Sequence, residues 1–148
     1  MGLTSTVVIL AAGKGARMHP LTATRPKTML PLAGKPILEH LLINCREAGL
    51  SEFIFIVGHH EEVIRGYFGV GADWRVNIRY VVQRKPRGTA DALRQSWSLI
   101  NGPFLMLNGD IILETADIFR LRNQTAPSMC LTEMDDVSGK GVVELSEN

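Results

Sequence analysis

Gly13, Lys14, Gly15, Arg17 and Lys27 are the residues whose types and spacing first suggest chemistry. They lie in the stretch Leu10 to Lys27, LAAGKGARMHPLTATRPK, directly after the apolar run Val7-Val8-Ile9. A strand that breaks into Gly13-Lys14-Gly15 leaves backbone N–H groups unobstructed by side chains, so the chain can close around phosphate oxygens. Leu10, Ala11 and Ala12 lead into that turn, and Arg17 and Lys27 bring positive charge to it. This combination suits a polyanion, with a nucleoside triphosphate the first candidate. A Walker A loop is excluded because Gly15 is followed by Ala16-Arg17. The dinucleotide fingerprint GxGxxG also fails, since Met18 stands where the third glycine belongs, and a dinucleotide-dependent oxidoreductase loses its main support.

Other residues end predicted strands in the same way. Asp110 follows Asn108-Gly109 at the end of an apolar run, which directs its carboxylate toward a cleft unless it serves only an Asx turn. Gln83 follows another run and is itself followed by Gly88-Thr89. Its amide offers both a donor and acceptors, enough to read the imide edge of uracil or thymine, while a glycine lets backbone meet a base. A polar loop leading into a capped helix is the alternative reading. Arg84, Lys85 and Arg87 read as solvated charges, and the adjacent His59-His60 as helix-start polarity rather than metal ligands, since no third ligand has suitable spacing.

At this point the sequence resembles the sugar-1-phosphate nucleotidyltransferases, whose signature reads LAAGxGxRxxPLTxxxPK. Pro20-Leu21-Thr22 favours the hexose-1-phosphate branch, and the similarity runs on through PLAGKPILEHLL to about residue 145. The resemblance is strongest to the N-terminal uridylyltransferase domain of bifunctional N-acetylglucosamine-1-phosphate uridylyltransferases and to glucose-1-phosphate thymidylyl- and uridylyltransferases. It implies transfer of UMP or dTMP from UTP or dTTP to a sugar 1-phosphate, with release of pyrophosphate. Arg17 and Lys27 would then act on the phosphates, Asp110 would hold Mg²⁺ as the cofactor, and Gln83, Gly88 and Thr89 would form the base-recognition element. Gly141, in Ser138-Gly139-Lys140-Gly141, would contact the sugar through its backbone N–H; Lys140 stands where relatives often carry an aromatic residue. Catalytic domains of this family are longer than this chain, so residues 1–148 read as their N-terminal, nucleotide-binding portion, with the C-terminal part and a second acidic metal ligand absent. A non-catalytic, sugar-nucleotide-binding regulatory subunit is the competing class. Such relatives tend to lose the Arg, the Lys or the Asp, all three of which are present here.

The elements that must position these groups follow from patterning. At 148 residues and 45% hydrophobic content the chain can bury one substantial core, so one domain is expected. A net charge of +1, with basic residues scattered outside the loop, gives no sign of nucleic acid or a membrane surface as partner. No leader precedes Val7, and no apolar run approaches a membrane span. Cys45 and Cys130 read as reduced core thiols, which suits a cytoplasmic protein. Homo-oligomerisation is left open.

Predicted strands cover residues 6–12, 53–57, 78–82, 104–107 and 128–133, with a last extended piece over 141–145. Helices are predicted from Pro36 to a stop at Gly49, over 61–68, over 89–99 with Thr89 as cap, and over 115–122 with Thr115 as cap. Residues 13–31 form a loop, long enough that its length argues for function. The alternation predicts an α/β protein, a Rossmann-like three-layer α/β/α nucleotidyltransferase fold with a mainly parallel sheet. In such sheets ligands gather at the carboxyl ends of the strands, where all three loops begin.

Overall fold

The computed structural model describes residues 4–85, 87–136, 138, 142 and 143. In chain order the elements begin with β1 (Thr6–Ala11), a small hairpin of β2 (Pro31–Leu32) and β3 (Lys35–Pro36), and α1 (Ile37–Glu47). They continue through β4 (Glu52–Val57), α2 (Glu61–Phe68), β5 (Asn77–Val82), α3 (Thr89–Ser96), β6 (Phe104–Asn108) and α4 (Thr115–Arg122).

β1 pairs in parallel with β4 on one edge and with β6 on the other, and β5 adds beyond β4. The sheet therefore runs β5-β4-β1-β6, all parallel, with β1 in its interior. A strand covered on both faces carries a continuous apolar run, which is why Val7, Val8 and Ile9 succeed one another without a polar interruption and are all fully buried.

Strand periodicity divides the core. Val7, Ile9, Ala11, Phe53, Phe55 and Val57 face one layer, built from α1, α2 and α4 through Leu41, Ile64 and Ile118. Val8, Ile54 and Ile56 face the opposite layer, where Ala92 of α3 packs. A period of two along each strand thus yields the expected three-layer α/β/α arrangement.

α1 buries Leu38, Leu41, Leu42 and Cys45, a stripe at i, i+3, i+4 and i+7. The buried Glu39 on the same helix is compensated: the Tyr67 hydroxyl donates to it at 2.6 Å, and Lys35 pairs with it at 3.1 Å. At the far end of the chain, Arg122 of α4 donates to the carbonyls of Thr4 and Ala48, which ties α4 to the entry of β1 and the exit of α1.

Several local expectations need correction. Pro36 is not inside the helix but caps it in extended backbone while pairing with Pro31, so the tight hairpin at Ala33-Gly34 turns the loop into α1. Gly88 and Glu114 hold the cap positions of α3 and α4 without side-chain bonds; Thr89 and Thr115 are first-turn residues instead. The helix predicted over 89–99 tightens into a 3-10 turn at Trp97–Leu99.

Residues 128–133 form no strand, because extended propensity needs a ladder partner, and no described strand pairs with this segment. Cys130 consequently lies exposed rather than in the core, whereas Cys45 is buried as expected. The piece predicted over 141–145 falls mostly outside the described residues, and Val142 and Val143 are not in a strand.

The two thiols should behave differently. Burial pushes Cys45 from 9.0 up to about 12, so the folded state holds it neutral. Its folded pKa lies above the unfolded value, so this contribution to stability is complete below pH 9.0 and is lost as pH rises toward about 12. A maleimide at neutral pH should label Cys130 alone in the native protein and both cysteines in denaturant; prompt native labelling of Cys45, read by mass spectrometry of the peptides, would contradict this packing.

Candidate functional site

The order β5-β4-β1-β6 changes direction at β1, since β4 lies on one side of it and β6 on the other. Just beyond the carboxyl ends of such strands a crevice opens that no crossover helix covers. Backbone pairing continues past the strands here: the Gly109 N–H donates to the Leu10 carbonyl at 2.9 Å. Gly109 is buried against that strand, and a Cβ on it would sit 2.9 Å from the Leu10 oxygen and 3.0 Å from Thr28 Cγ2. Only glycine lets the chain after β6 approach β1 this closely, and the approach delivers Asp110 to the loop after β1.

That loop is clamped internally. Gly15 takes a left-handed conformation at φ 61°, and its carbonyl accepts from the Met18 N–H at 2.9 Å and from the buried Thr22 hydroxyl at 3.0 Å. A Cβ at Gly15 would meet Thr22 Cγ2 at 3.0 Å and Lys27 Cβ at 3.1 Å, so this glycine is required both by φ and by space. A Cβ at Gly13 would meet nothing within 4 Å, which leaves its backbone facing open volume. The far part of the loop is held by His60, whose Nε2 lies 3.1 Å from the Ala23 carbonyl. This contact gives the second histidine of the His59-His60 pair a structural task. Among the described residues no group of three His, Cys, Asp or Glu could hold a metal ion.

A cavity of about 840 Å³ opens between these segments. Leu10, Ala11, Ala12, Gly13, Lys14, Gly15 and Arg17 line it from the first loop, and Lys27 from the loop's end. Gln83, Gly88 and Thr89 line it from the segment after β5, and Asn108 and Asp110 from the end of β6. All the sequence-predicted site residues therefore share one crevice, apart from Gly109, which lies beneath it, and Gly141, which falls outside the described residues.

Thr28, Ile56 and Ala92 also line the cavity and escaped the sequence reading. Ile56 and Ala92 form its apolar floor toward α3. The signal was available, since Ile56 is the last residue of β4 on that face and Ala92 stands three residues after Thr89.

Lys27 Nζ and Asp110 Oδ2 are 2.7 Å apart, a contact between residues far apart in sequence. The two side chains retain 38% and 34% of their exposure, so solvent screens the pair and its net worth is at most about 1 kcal/mol. Its value is positional: it places one cation and one carboxylate at the same point of the crevice. Arg17 stands exposed on the 3-10 turn Ala16–Met18, at the mouth.

Gln83 differs from the expectation that its amide reads a base with both a donor and an acceptor. It is buried, and its Nε2 donates to the Gly88 carbonyl at 3.3 Å and to Asp91 Oδ2 at 3.1 Å. Both donor hydrogens are thereby used, leaving Oε1 as the group available to a ligand.

The donor set of Asp110 can be compared with the needs of Mg²⁺. One exposed carboxylate beside a cation-lined crevice fits an ion that prefers oxygen ligands, commonly keeps waters, and is held by one or two carboxylates together with substrate phosphates.

A parallel sheet with a glycine-clamped, cation-bearing crevice at its switch point defines a doubly wound α/β protein. Comparison with known proteins narrows this. The profile of the family described as Nucleotidyl transferase matches residues 6–148, and the chain belongs to that family. It is 41% identical over 138 residues to the bifunctional protein GlmU of Methanococcus maripaludis, covering 93% of this chain and 32% of that protein. It is 34% identical over 146 residues to the mannose-1-phosphate guanylyltransferase of Mycobacterium tuberculosis, covering 95% of this chain and 40% of the relative.

Among solved structures, UDP-glucose pyrophosphorylase complexed with UDP-glucose superimposes with a TM-score of 0.67 at 26% identity, over 73% of this chain and 46% of the other. A Bacillus anthracis protein described as a candidate glucose-1-phosphate thymidylyltransferase, in complex with sucrose, gives 0.74 at 26% identity, over 81% and 51%. The chain thus spans about a third of the GlmU relative and about half of these structures. No helix among the described residues is long and apolar enough to cross a membrane.

One atom of the crevice wall is unsatisfied: the Thr28 hydroxyl is buried without a hydrogen-bond partner among the described residues. An unpaired buried hydroxyl costs roughly 1–3 kcal/mol. Thr28→Val, nearly isosteric, should raise the stability of the ligand-free protein by about 1 kcal/mol in a urea melt. A loss of stability would show that the hydroxyl is paired in solution.

Proposed function

We propose that the chain supplies the nucleotide-binding part of a site that transfers UMP or dTMP from UTP or dTTP to a sugar 1-phosphate. An oxygen of the sugar phosphate attacks the α-phosphorus, the new O–P bond forms, the bond from that phosphorus to the β-phosphate bridge breaks, and pyrophosphate leaves. Two anions must meet for this, so positioned cations and alignment supply most of the catalysis. The observation that carries the reading is the shared crevice: Arg17, Lys27 and Asp110 line one cavity with the Gly13–Gly15 turn, although they come from separate segments.

Within that reading each group has a distinct task. The planar fork of Arg17 suits the β and γ oxygens and the leaving pyrophosphate. Lys27, a point charge on a flexible stem, draws the α-phosphate and the incoming sugar phosphate together. The backbone N–H groups from Gly13 to Gly15 cradle the phosphate chain. Asp110 would hold Mg²⁺, which when bound neutralises charge on the α-phosphate. Binding must first part Lys27 from Asp110, and the weakness of an exposed ion pair makes that inexpensive. The match to the family described as Nucleotidyl transferase over residues 6–148 supports the reaction class, and the names of the sugar-nucleotide relatives support the assignment to nucleotide-sugar synthesis.

The test is a panel of nucleoside triphosphates against sugar 1-phosphates with pyrophosphate detection, alongside equilibrium binding of each triphosphate. UTP or dTTP should bind and, in the full-length protein with Mg²⁺ and a sugar 1-phosphate, release pyrophosphate. Arg17→Ala and Lys27→Ala should each lower the rate by about 100-fold or more while the circular dichroism spectrum is unchanged, because both side chains lie on the loop rather than in the core. Turnover unchanged in both variants would remove the roles given to them. Binding without pyrophosphate release by the full-length protein under any pairing would favour a regulatory nucleotide binder.

A further inference from the structure

Asp91 is the residue that takes up the Gln83 amide, and no catalytic role accounts for it. Its side chain is only 14% exposed, on the first turn of α3, directly behind the segment Gln83 to Gly88. Oδ2 accepts from Gln83 at 3.1 Å and from Gln95 at 2.7 Å, while Oδ1 accepts from Arg94 at 3.0 Å. The Gly88 carbonyl accepts from the same Gln83 nitrogen at 3.3 Å. An ionised carboxylate and a backbone carbonyl are both acceptors only, so the amide can meet them solely through its NH₂ end. Turning the amide over would set Oε1 against two oxygens at hydrogen-bond distance. The orientation is therefore dictated by the partners' chemistry. The same contacts, the Gln83 bond foremost and then Arg94, hold the Asp91 carboxyl below the usual carboxylate range, so it stays an acceptor at neutral pH.

The consequence lies in the crevice that Gln83 lines. With both amide hydrogens engaged, Gln83 can offer a ligand only a carbonyl oxygen, and the partner atom must be a donor. Uracil, thymine and guanine carry a ring N–H beside a carbonyl. Cytosine and adenine carry a bare ring nitrogen at the corresponding place and a donor only in the neighbouring amino group, so an Oε1 that faces the ring position meets a lone pair there.

We propose that Asp91 is a positioning residue for base selection: by holding the Gln83 amide in one orientation it makes the pocket accept bases with a ring N–H and discriminate against cytosine and adenine. This rests on the reading of Gln83 as the base contact and adds the origin of its selectivity. Asp91 acts through Gln83 and does not touch the nucleotide.

The experiment compares UTP and CTP affinities by calorimetric titration, with inorganic tripolyphosphate as a probe of the phosphate loop alone. The wild-type protein should favour UTP by about tenfold or more, the worth of one hydrogen bond exchanged for a repulsion. Asp91→Ala should bring the two affinities to within about threefold and leave tripolyphosphate binding unchanged. Arg94→Ala, which keeps the carboxylate facing Gln83, should retain the wild-type ratio. A wild-type ratio that survives in Asp91→Ala overturns the proposal.

Gln83→Ala separates the two possible failures. If it abolishes the preference while Asp91→Ala does not, Gln83 reads the base without help from Asp91; if it also leaves the preference intact, the base contact itself is misassigned. A measurement without substitution at Asp91 completes the test. The side-chain NH₂ protons of Gln83 should exchange slowly with water in the wild-type protein by NMR, and rapid exchange would show that they are not tied.

Discussion

The parallel pairing of β1 with β6 is the constraint on which the rest depends. Thr6 to Leu10 lie opposite Phe104 to Asn108 in register, and the ladder runs one bond further, from the Gly109 N–H to the Leu10 carbonyl. This fixes where each strand releases its chain. One releases a glycine turn with free backbone N–H groups, the other a carboxylate, side by side at the same edge of the sheet. Had β6 been placed beyond β5, the same residues would end their strands on opposite flanks of the molecule. The site is a product of strand order before it is a product of side chains.

Packing on the two faces then decides what space remains. On one face, α1, α2 and α4 cover the sheet with large apolar side chains and leave little room. On the other, α3 meets Val8, Ile54 and Ile56 through the small Ala92, and the crevice is cut into this thinner layer. The first loop bends over it, closed on itself through Gly15 and Thr22 and anchored outside by His60. A loop of this length would otherwise sample many conformations; a few bonds to its carbonyls reduce that freedom before any ligand arrives.

Much of this could be read from residue order. The continuous apolar run Val7-Val8-Ile9 marked the first strand, and Pro36 and Gly49 marked the bounds of the first helix. The string from Leu10 to Lys27 pointed to the loop that lines the crevice, because glycine, arginine and lysine there have no role in a core.

What escaped depended on partners distant in sequence. The segment 128–133 has strand-forming residues, yet no described strand pairs with it. Cys130 shares that exposure. Thr89 and Thr115 looked like caps, but each sits one residue too late. Gln83 lines the crevice with fewer hydrogen-bonding functions than its type suggests, since composition cannot show that its NH₂ is consumed by Asp91 and Gly88. Asp91 gave no such signal, because its partner Gln83 stands outside the helix that carries it.

The contact between Lys27 and Asp110 sets one cation against one carboxylate within the crevice. A visiting anion that recruits the ammonium strands a carboxylate, and a visiting cation that recruits the carboxylate strands an ammonium. Guests of opposite sign that arrive together leave neither group wanting.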